Sequence, residues 1–134
     1  MTLEDVFPNL GASYRITSPA SRTYNCIAWA AEKADAWWEP TQGYYWSPST
    51  PSEGTVIALV QVFESLGFER CDSRELEPGW TKIAIYGQGD EYTHATRQLP
   101  NGQWTSKLGV QVDIEHASPE ALVGNEYGSI LGVM

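Results

Sequence analysis

The sequence predicts an α+β fold with N-terminal helices packed on a small antiparallel sheet. Three observations carry this. Apolar residues recur at helical spacing in the first half, as Ile27, Ala30, Ala31 and Ala34 and again as Val56, Leu59, Val60 and Phe63. From Trp80 onward, short apolar runs are separated by glycine, proline and asparagine turns, the punctuation of strands. Helices come first and strands after, an order that favours an antiparallel sheet with helices on it. The 134 residues suffice for one core, and no repeat, low-complexity tract or linker divides them, so residues 1–134 are read as one domain.

Hydrophobic content of 42% and charged content of 19% belong to a globular chain rather than a disordered one. The net charge is −9, and the eight basic residues are scattered. That argues against nucleic acid, whose binding needs a basic footprint, and against anionic membrane surfaces or cell-wall polymers. A basic or neutral peptide or protein suits the balance better. Met1-Thr2-Leu3-Glu4-Asp5 is acidic without an apolar run, so no secretory signal is expected, and no stretch approaches a membrane span. The expectation is a cytoplasmic protein, or one exported by a route that leaves no such mark; in the cytoplasm Cys26 and Cys71 stay reduced.

In chain order, residues 1–23 read as an irregular lead-in with turns at Phe7-Pro8-Asn9 and Ser18-Pro19-Ala20-Ser21, and a short strand at Tyr14-Arg15-Ile16. The first helix is expected over residues 26–36, with Asn25 as N-cap. Residues 37–50 form a loop carrying five aromatics, Trp37, Trp38, Tyr44, Tyr45 and Trp46. These either plug one end of the core or wall a substrate cleft. Thr50-Pro51-Ser52-Glu53 reads as a capping box, with proline at the first helical position, for a second helix that Gly67 stops. Phe68-Glu69-Arg70-Cys71 reads as a short strand, and residues 72–79 as a solvated loop. Lys82-Ile83-Ala84-Ile85-Tyr86 suits a central strand. A hairpin joins residues 93–99 to 103–109 around Pro100-Asn101-Gly102, and residues 110–114 continue the sheet. Ser118-Pro119-Glu120 opens a helical turn ended at Gly124, and residues 127–133 supply a last strand.

The reactive candidate is Cys26, at the start of the first helix. A helix N-terminus carries partial positive charge and free N–H groups, which favour a thiolate. The same groups, with Asn25 beside them, would serve an oxyanion. The plainer alternative is a cysteine acting as a small buried hydrophobe. Cys71 has nothing near it in sequence to lower its pKa and reads as structural. His94, one of two histidines, opens the hairpin and is the candidate base, since nucleophile and base need only meet in space. Such a base needs a third group to orient it. Pro-Asn-Gly is the chemistry of a three-residue loop, a type I turn followed by glycine in the left-handed region. That pairs Leu99 with Gln103, Thr96 with Ser106 and His94 with Leu108, placing Ser106 on the face of His94 and Lys107 on the other. A two-residue Asn-Gly turn would flip the parity and favour Lys107 or Thr105. The proline favours the first. Asp113 and Asp90 are further candidates for the orienting group. Trp29, Trp37, Trp38, Tyr44, Tyr45 and Trp46 are the candidate substrate-binding side chains. No metal or other cofactor is expected: Cys26, Cys71, His94 and His116 lack zinc spacing. Gly87-Gln88-Gly89 lacks the helix and lysine of a phosphate loop. Asp113-Ile114-Glu115-His116 reads as a hydrogen-bonded strand end.

Asn25-Cys26 with Ala28-Trp29-Ala30 resembles the nucleophile helix of the papain-like cysteine peptidase superfamily, which includes compact bacterial relatives such as the NlpC/P60 amidases. His94-Ala95 resembles its base strand, and Trp104-Thr105-Ser106-Lys107 the strand carrying its third residue. The run from Tyr24 to Gly109, with Tyr127-Gly128, more closely resembles a bacterial domain family without an assigned activity. The superfamily resemblance implies that Cys26 attacks a carbonyl, that His94 exchanges the proton, and that water or an amine resolves the acyl-enzyme. Where the superfamily has Asn, Asp, His or Gln as third residue, this chain has Ser106, unless Asp113 fills the role. Two expectations follow: a thiol hydrolase or acyltransferase acting on a peptide, isopeptide or related amide bond, or an inactive binding domain using the loop over residues 37–46. A well-placed Asp113 favours the first, and an orphaned His94 the second. A toxin or effector module is a third, which length and charge allow but do not argue for.

Overall fold

The computed structural model describes residues 2–134. In chain order the elements are helix α1 (Leu3–Val6), strand β1 (Arg15–Ser18), helices α2 (Cys26–Ala30) and α3 (Val56–Ser65), and strands β2 (Ile83–Gln88), β3 (Glu91–Gln98), β4 (Trp104–Lys107) and β5 (Asp113–His116). A 3-10 turn over Pro119–Leu122 and strand β6 (Ser129–Val133) complete the chain. The six strands make one sheet in the order β1-β5-β4-β3-β2-β6, every pair antiparallel. This is the α+β architecture expected.

The central strands of the sheet are buried on both faces. On one, α2 and α3 bring Ile27, Ala28, Ala30, Leu59, Val62 and Phe63 onto Ile83, Ile85 and Ala95. On the other, Tyr86 and Ile114 pack with Phe7, Leu10, Leu108 and Leu122. Burying the large aliphatic and aromatic side chains of α3 stabilises the contact by about 2 kcal/mol each. The central strand β2 therefore has Ile83, Ala84, Ile85 and Tyr86 all without exposure, as its apolar run requires. Among the described residues no helix is long and apolar enough to cross a membrane.

Several boundaries differ from the sequence reading. The first helix stops at Ala30 rather than residue 36. Glu32 enters the left-handed region at φ 62°, Lys33 N–H reaches back to Ala28 O, and Glu32 N–H to Trp29 O. This is a Schellman closure made without glycine, so no sequence signal marked it. The expected capping box at Thr50 is not used. Thr55 caps α3, its hydroxyl accepting from Ala58 N–H, while Pro51 O accepts the Trp46 indole N–H. The segment Phe68 to Cys71 is not a strand. It is tied by bonds from Phe68 N–H to Phe63 O and from Cys71 N–H to Val133 O, and by an edge-on packing of Phe68 against Phe63. The lead-in contains α1, closed by a Thr2–Asp5 capping box whose spacing the sequence displays.

The turn and its register form as read, but β4 ends at Lys107 and the ladder stops short of the expected Thr96–Ser106 and His94–Leu108 pairs. Leu99 N–H donates to Gln103 O, Gly102 sits at φ 88°, and the register pairs Arg97 with Thr105 and Gln98 with Trp104. The three-residue loop thus sets which β4 side chains share a face with His94.

Candidate functional site

Helix α2 is short and pinned at both ends. At its N-terminus Asn25 Oδ1 accepts the N–H groups of Ala28 and Trp38, each at 3.2 Å, and its Nδ2 donates to Trp38 O at 2.7 Å. At its C-terminus Arg97 Nε donates to Trp29 O, and its guanidinium lies 5.2 Å over the Trp29 ring. Trp29 Nε1 donates to Thr105 Oγ1. The cysteine at the head of α2 is held on a rigid mount.

Cys26 is half-buried and unpaired, as is Cys71. Burial pushes its thiol up to about 11, against the opposing pull of the N–H groups of Ala95, Ile27 and Cys26 itself and of the Lys107 charge. Sheet geometry explains why Ala95 has an N–H to give. Gln98 N–H donates to Lys82 O, so alternate residues of β3 aim at β2 and the others, Ala95 among them, at β4. The β3–β4 ladder stops at Arg97 and Thr105. Where β4 leaves β3, the Ala95 N–H is left beside Cys26, whose pKa it helps to draw down.

His94 is the residue before Ala95, and strand alternation sends its side chain to the other face. It pairs with Tyr86 across the sheet and stacks on Tyr127, ring centroids 4.1 Å apart and planes within 5°. It has no exposure, and neither ring nitrogen has a hydrogen-bond partner. Burial, reinforced by His116, holds it well below the ordinary imidazole range. Cys26 and His94 are therefore neighbours through the Ala95 peptide and are not hydrogen-bonded to each other.

None of the three orienting candidates serves His94. Ser106 lies on its face, as the hairpin parity required, but its hydroxyl is 2.8 Å from His116 Nε2 and 2.7 Å from Thr96 Oγ1. His116 Nδ1 in turn meets Ser118 O at 2.8 Å. Ser106 belongs to a buried Thr96–Ser106–His116 chain. Asp113 lies on the α2 face, cross-strand from Lys107. Its Oδ2 accepts the Tyr24 hydroxyl at 2.7 Å, and its buried Oδ1 has no partner. Asp90 sits in the β2–β3 turn, its carbonyl accepting Val56 N–H. Asn25 is likewise unsuited to the oxyanion role given it, because its amide is committed to Ala28 and Trp38. The N–H groups of Ala95, Ile27 and Cys26 are the donors present at the sulfur.

The aromatic candidates divide. Trp38 is buried in the core and packs on Tyr45; Trp46 stacks on Tyr92. Trp29 is committed to Thr105 and Arg97. Trp37 packs on Tyr44, and Tyr44 and Tyr45 are 51% and 46% exposed, which makes them the rings free to meet another molecule. A cleft of about 490 Å³ runs beside this loop, lined by Glu39, Pro40, Thr41, Gly54, Thr55, Glu91 and Tyr92. The inner rings plug the core, as one reading expected, and the exposed Tyr44 and Tyr45 are not among the residues lining this cleft.

Sequence reasoning missed three residues. Lys107 is fully buried, donates to Ser21 O and Gly109 O, and lies 5.0 Å over the Tyr24 ring. A lysine in a strand carries no signal for this. Tyr24, pushed up to about 12 by burial and its bond to Asp113, links that cation to the carboxylate. Tyr127 covers His94 from a loop some thirty residues downstream. Among the described residues no three His, Cys, Asp or Glu side chains gather as a metal site.

Neither the curated proteins nor the solved structures contain a match to this chain. A family model does match, over residues 15–134, which takes in every strand, helices α2 and α3, and the surroundings of Cys26 and His94. The chain thus belongs to the DUF7689 family, described as a domain of unknown function.

Proposed function

We propose that this chain is a papain-like thiol hydrolase or acyltransferase acting on a peptide, isopeptide or related amide bond, with Cys26 as nucleophile and His94 as general base and acid. One observation carries the reading. Cys26 lies beside the Ala95 amide at the edge of β3, and the residue before that alanine is a buried histidine with both ring nitrogens unpartnered. Buried polar groups are nearly always paired, so an unpaired one asks for a use.

In the reaction, the Cys26 S–H proton passes to a His94 nitrogen and the sulfur bonds to the substrate carbonyl carbon. The carbonyl oxygen takes the negative charge among the N–H groups of Ala95, Ile27 and Cys26. Collapse breaks the C–N bond, and His94 returns the proton to the leaving amine. Water or a second amine then attacks the thioester, delivering its proton through His94, and frees Cys26. At rest the pair is unarmed, with the thiol raised and the imidazole neutral. In this reading the two also meet transiently in the free protein, where alkylation reports them, and substrate entry holds them together, as catalytic bonds often tighten only in the complex. Tyr44, Tyr45 and the cleft between Glu39 and Glu91 would hold a neutral or basic peptide, and a reduced thiol suits the cytoplasm.

A second reading, an inactive papain-like domain that binds through the loop over residues 37–46, is favoured by a specific observation: neither Asp113 nor Ser106 orients His94. Iodoacetamide alkylation of each cysteine across pH, read by mass spectrometry in wild type and His94→Ala, separates the two. The enzyme reading expects Cys26 to react below the pH of an ordinary thiol, about 8.5, and to lose that advantage without His94. A rate that rises only towards pH 11, indifferent to His94, defeats it and leaves the binding domain.

A further inference from the structure

We infer that Tyr127 is the positioning residue for His94, its stacked ring fixing the imidazole plane where a hydrogen-bonded third group would otherwise do so. The inference rests on the thiol reading for its use but not for its geometry. His94 is held by rings alone: Tyr127 lies parallel at 4.1 Å, and Tyr86 meets the ring at 5.2 Å and 59°. Tyr86 is itself locked, its hydroxyl donating to Pro119 O at 2.6 Å.

A stacked ring can position another only if it is itself held, and the loop carrying Tyr127 is tied repeatedly. Gly124 and Gly128 exchange backbone hydrogen bonds at 3.1 and 2.7 Å, closing the loop on itself. The Thr93 hydroxyl, one residue before His94, donates to Tyr127 O. Gln88 Nε2 donates to Asn125 O. Gly128 lies so close to β2 that a Cβ there would stand 2.3 Å from Gly87 O, and Phe7 packs on the outer side of the Tyr127 ring at 5.2 Å. The loop is thus tied both to β3, which carries His94, and to β2. The titratable groups that face His94 are His116 on β5, Tyr86 on β2 and Tyr127, and the Cys26 thiol acts on the Tyr127 phenol. Stacking fixes the plane of the imidazole and leaves both nitrogens free, as a proton carrier that must reach a sulfur at a strand edge requires.

The test is a pH titration of the His94 Cε1–H resonance, with Cys26 alkylation alongside, in wild type, Tyr127→Phe and Tyr127→Leu. Two histidines in the chain make the resonance assignable with a His116→Gln reference. Tyr127→Phe keeps the stack and is expected to match wild type in both readouts. Tyr127→Leu is expected to move the His94 titration up towards that of a free histidine and to cut His94-dependent alkylation of Cys26 by about tenfold. An unchanged His94 resonance in Tyr127→Leu, or a Phe variant as impaired as the Leu one, overturns the inference. Should Tyr127→Leu fail to fold, Thr93→Val removes one loop tie and leaves both rings; a smaller shift in the same direction supports the inference, and no shift overturns it. If the His94 resonance responds to Tyr127→Leu while alkylation ignores His94 in every variant, the positioning stands and the thiol-enzyme reading fails.

Discussion

Adjacent residues at the head of α2 have opposite fates. Asn25 is buried with its amide oxygen and nitrogen both engaged, holding α2 to the loop at Trp38. Cys26 projects at the gap between two strands. Asn25 is therefore a structural cap, and Asn25→Ala is expected to cost about 2 kcal/mol, the sum of a lost N-cap and lost buried partners. Asn25→Asp keeps the acceptor but loses the donor to Trp38 O, and should fall between. Urea denaturation midpoints of the three proteins check this ordering. A pair of equal midpoints for wild type and Asn25→Ala would show that the cap carries no weight. Lys107 shows the same principle with a charge: a buried ammonium is tolerable because two carbonyls and the Tyr24 ring face it.

Among the elements, the junction of β6 with β2 is the most sharply constrained. β6 closes one end of the sheet order, and it enters through Gly128 at φ 79° with β2 backbone in contact. Gly128→Ala combines left-handed strain with a clash against carbonyl oxygen, and should destabilise by about 3 kcal/mol. Gly132→Ala on the same strand meets nothing within 4 Å and is the control, expected to change stability little. Thermal or urea unfolding of both variants decides. Because Gly128 follows Tyr127, the alanine variant should also disturb the His94 resonance. The helix ends teach a related lesson. The closure at Glu32 is a backbone turn made without glycine, and Thr55 caps α3 with its own hydroxyl in preference to the rival cap at Thr50, which is why the sequence reading differs at residues 36 and 50.

At the scale of the whole molecule, two buried histidines bind the fold to pH. Burial holds His116 down to about 4, and His94 well below its ordinary range. An unfolded chain takes up protons on histidine from about pH 6.5 downward. The folded chain resists until about pH 4 at His116. The unfolded state thus binds more protons across that window, and stability falls as pH drops through it. The loss expected from pH 7 to pH 4.5 is a few kcal/mol, read as a falling urea midpoint. His116→Gln, which keeps a donor and an acceptor for Ser106 and Ser118, should flatten that slope. A midpoint independent of pH across this range would contradict the burial of both rings.

Much of this molecule was legible in its residues, for reasons that are local. Apolar spacing marked α3, the run from Ile83 to Tyr86 marked a central strand, and Pro100-Asn101-Gly102 marked a three-residue turn whose parity placed Ser106 beside Thr96 on the face of His94. Asn25 read as a cap and Cys26 as the head of a helix because capping is a matter of a few neighbouring atoms. What the sequence by itself could not decide was partnership across the sheet. That Ser106 turns to His116, that Asp113 turns to Tyr24, and that Tyr127 stacks on His94 depend on which strand lies beside which, and on where β4 parts from β3. Strand order and loop closure join residues 10 to 100 positions apart, and a side chain's best partner among them is chosen by competition within the packed interior. The tertiary structure alone settles that competition, and it left His94 between rings with both nitrogens free.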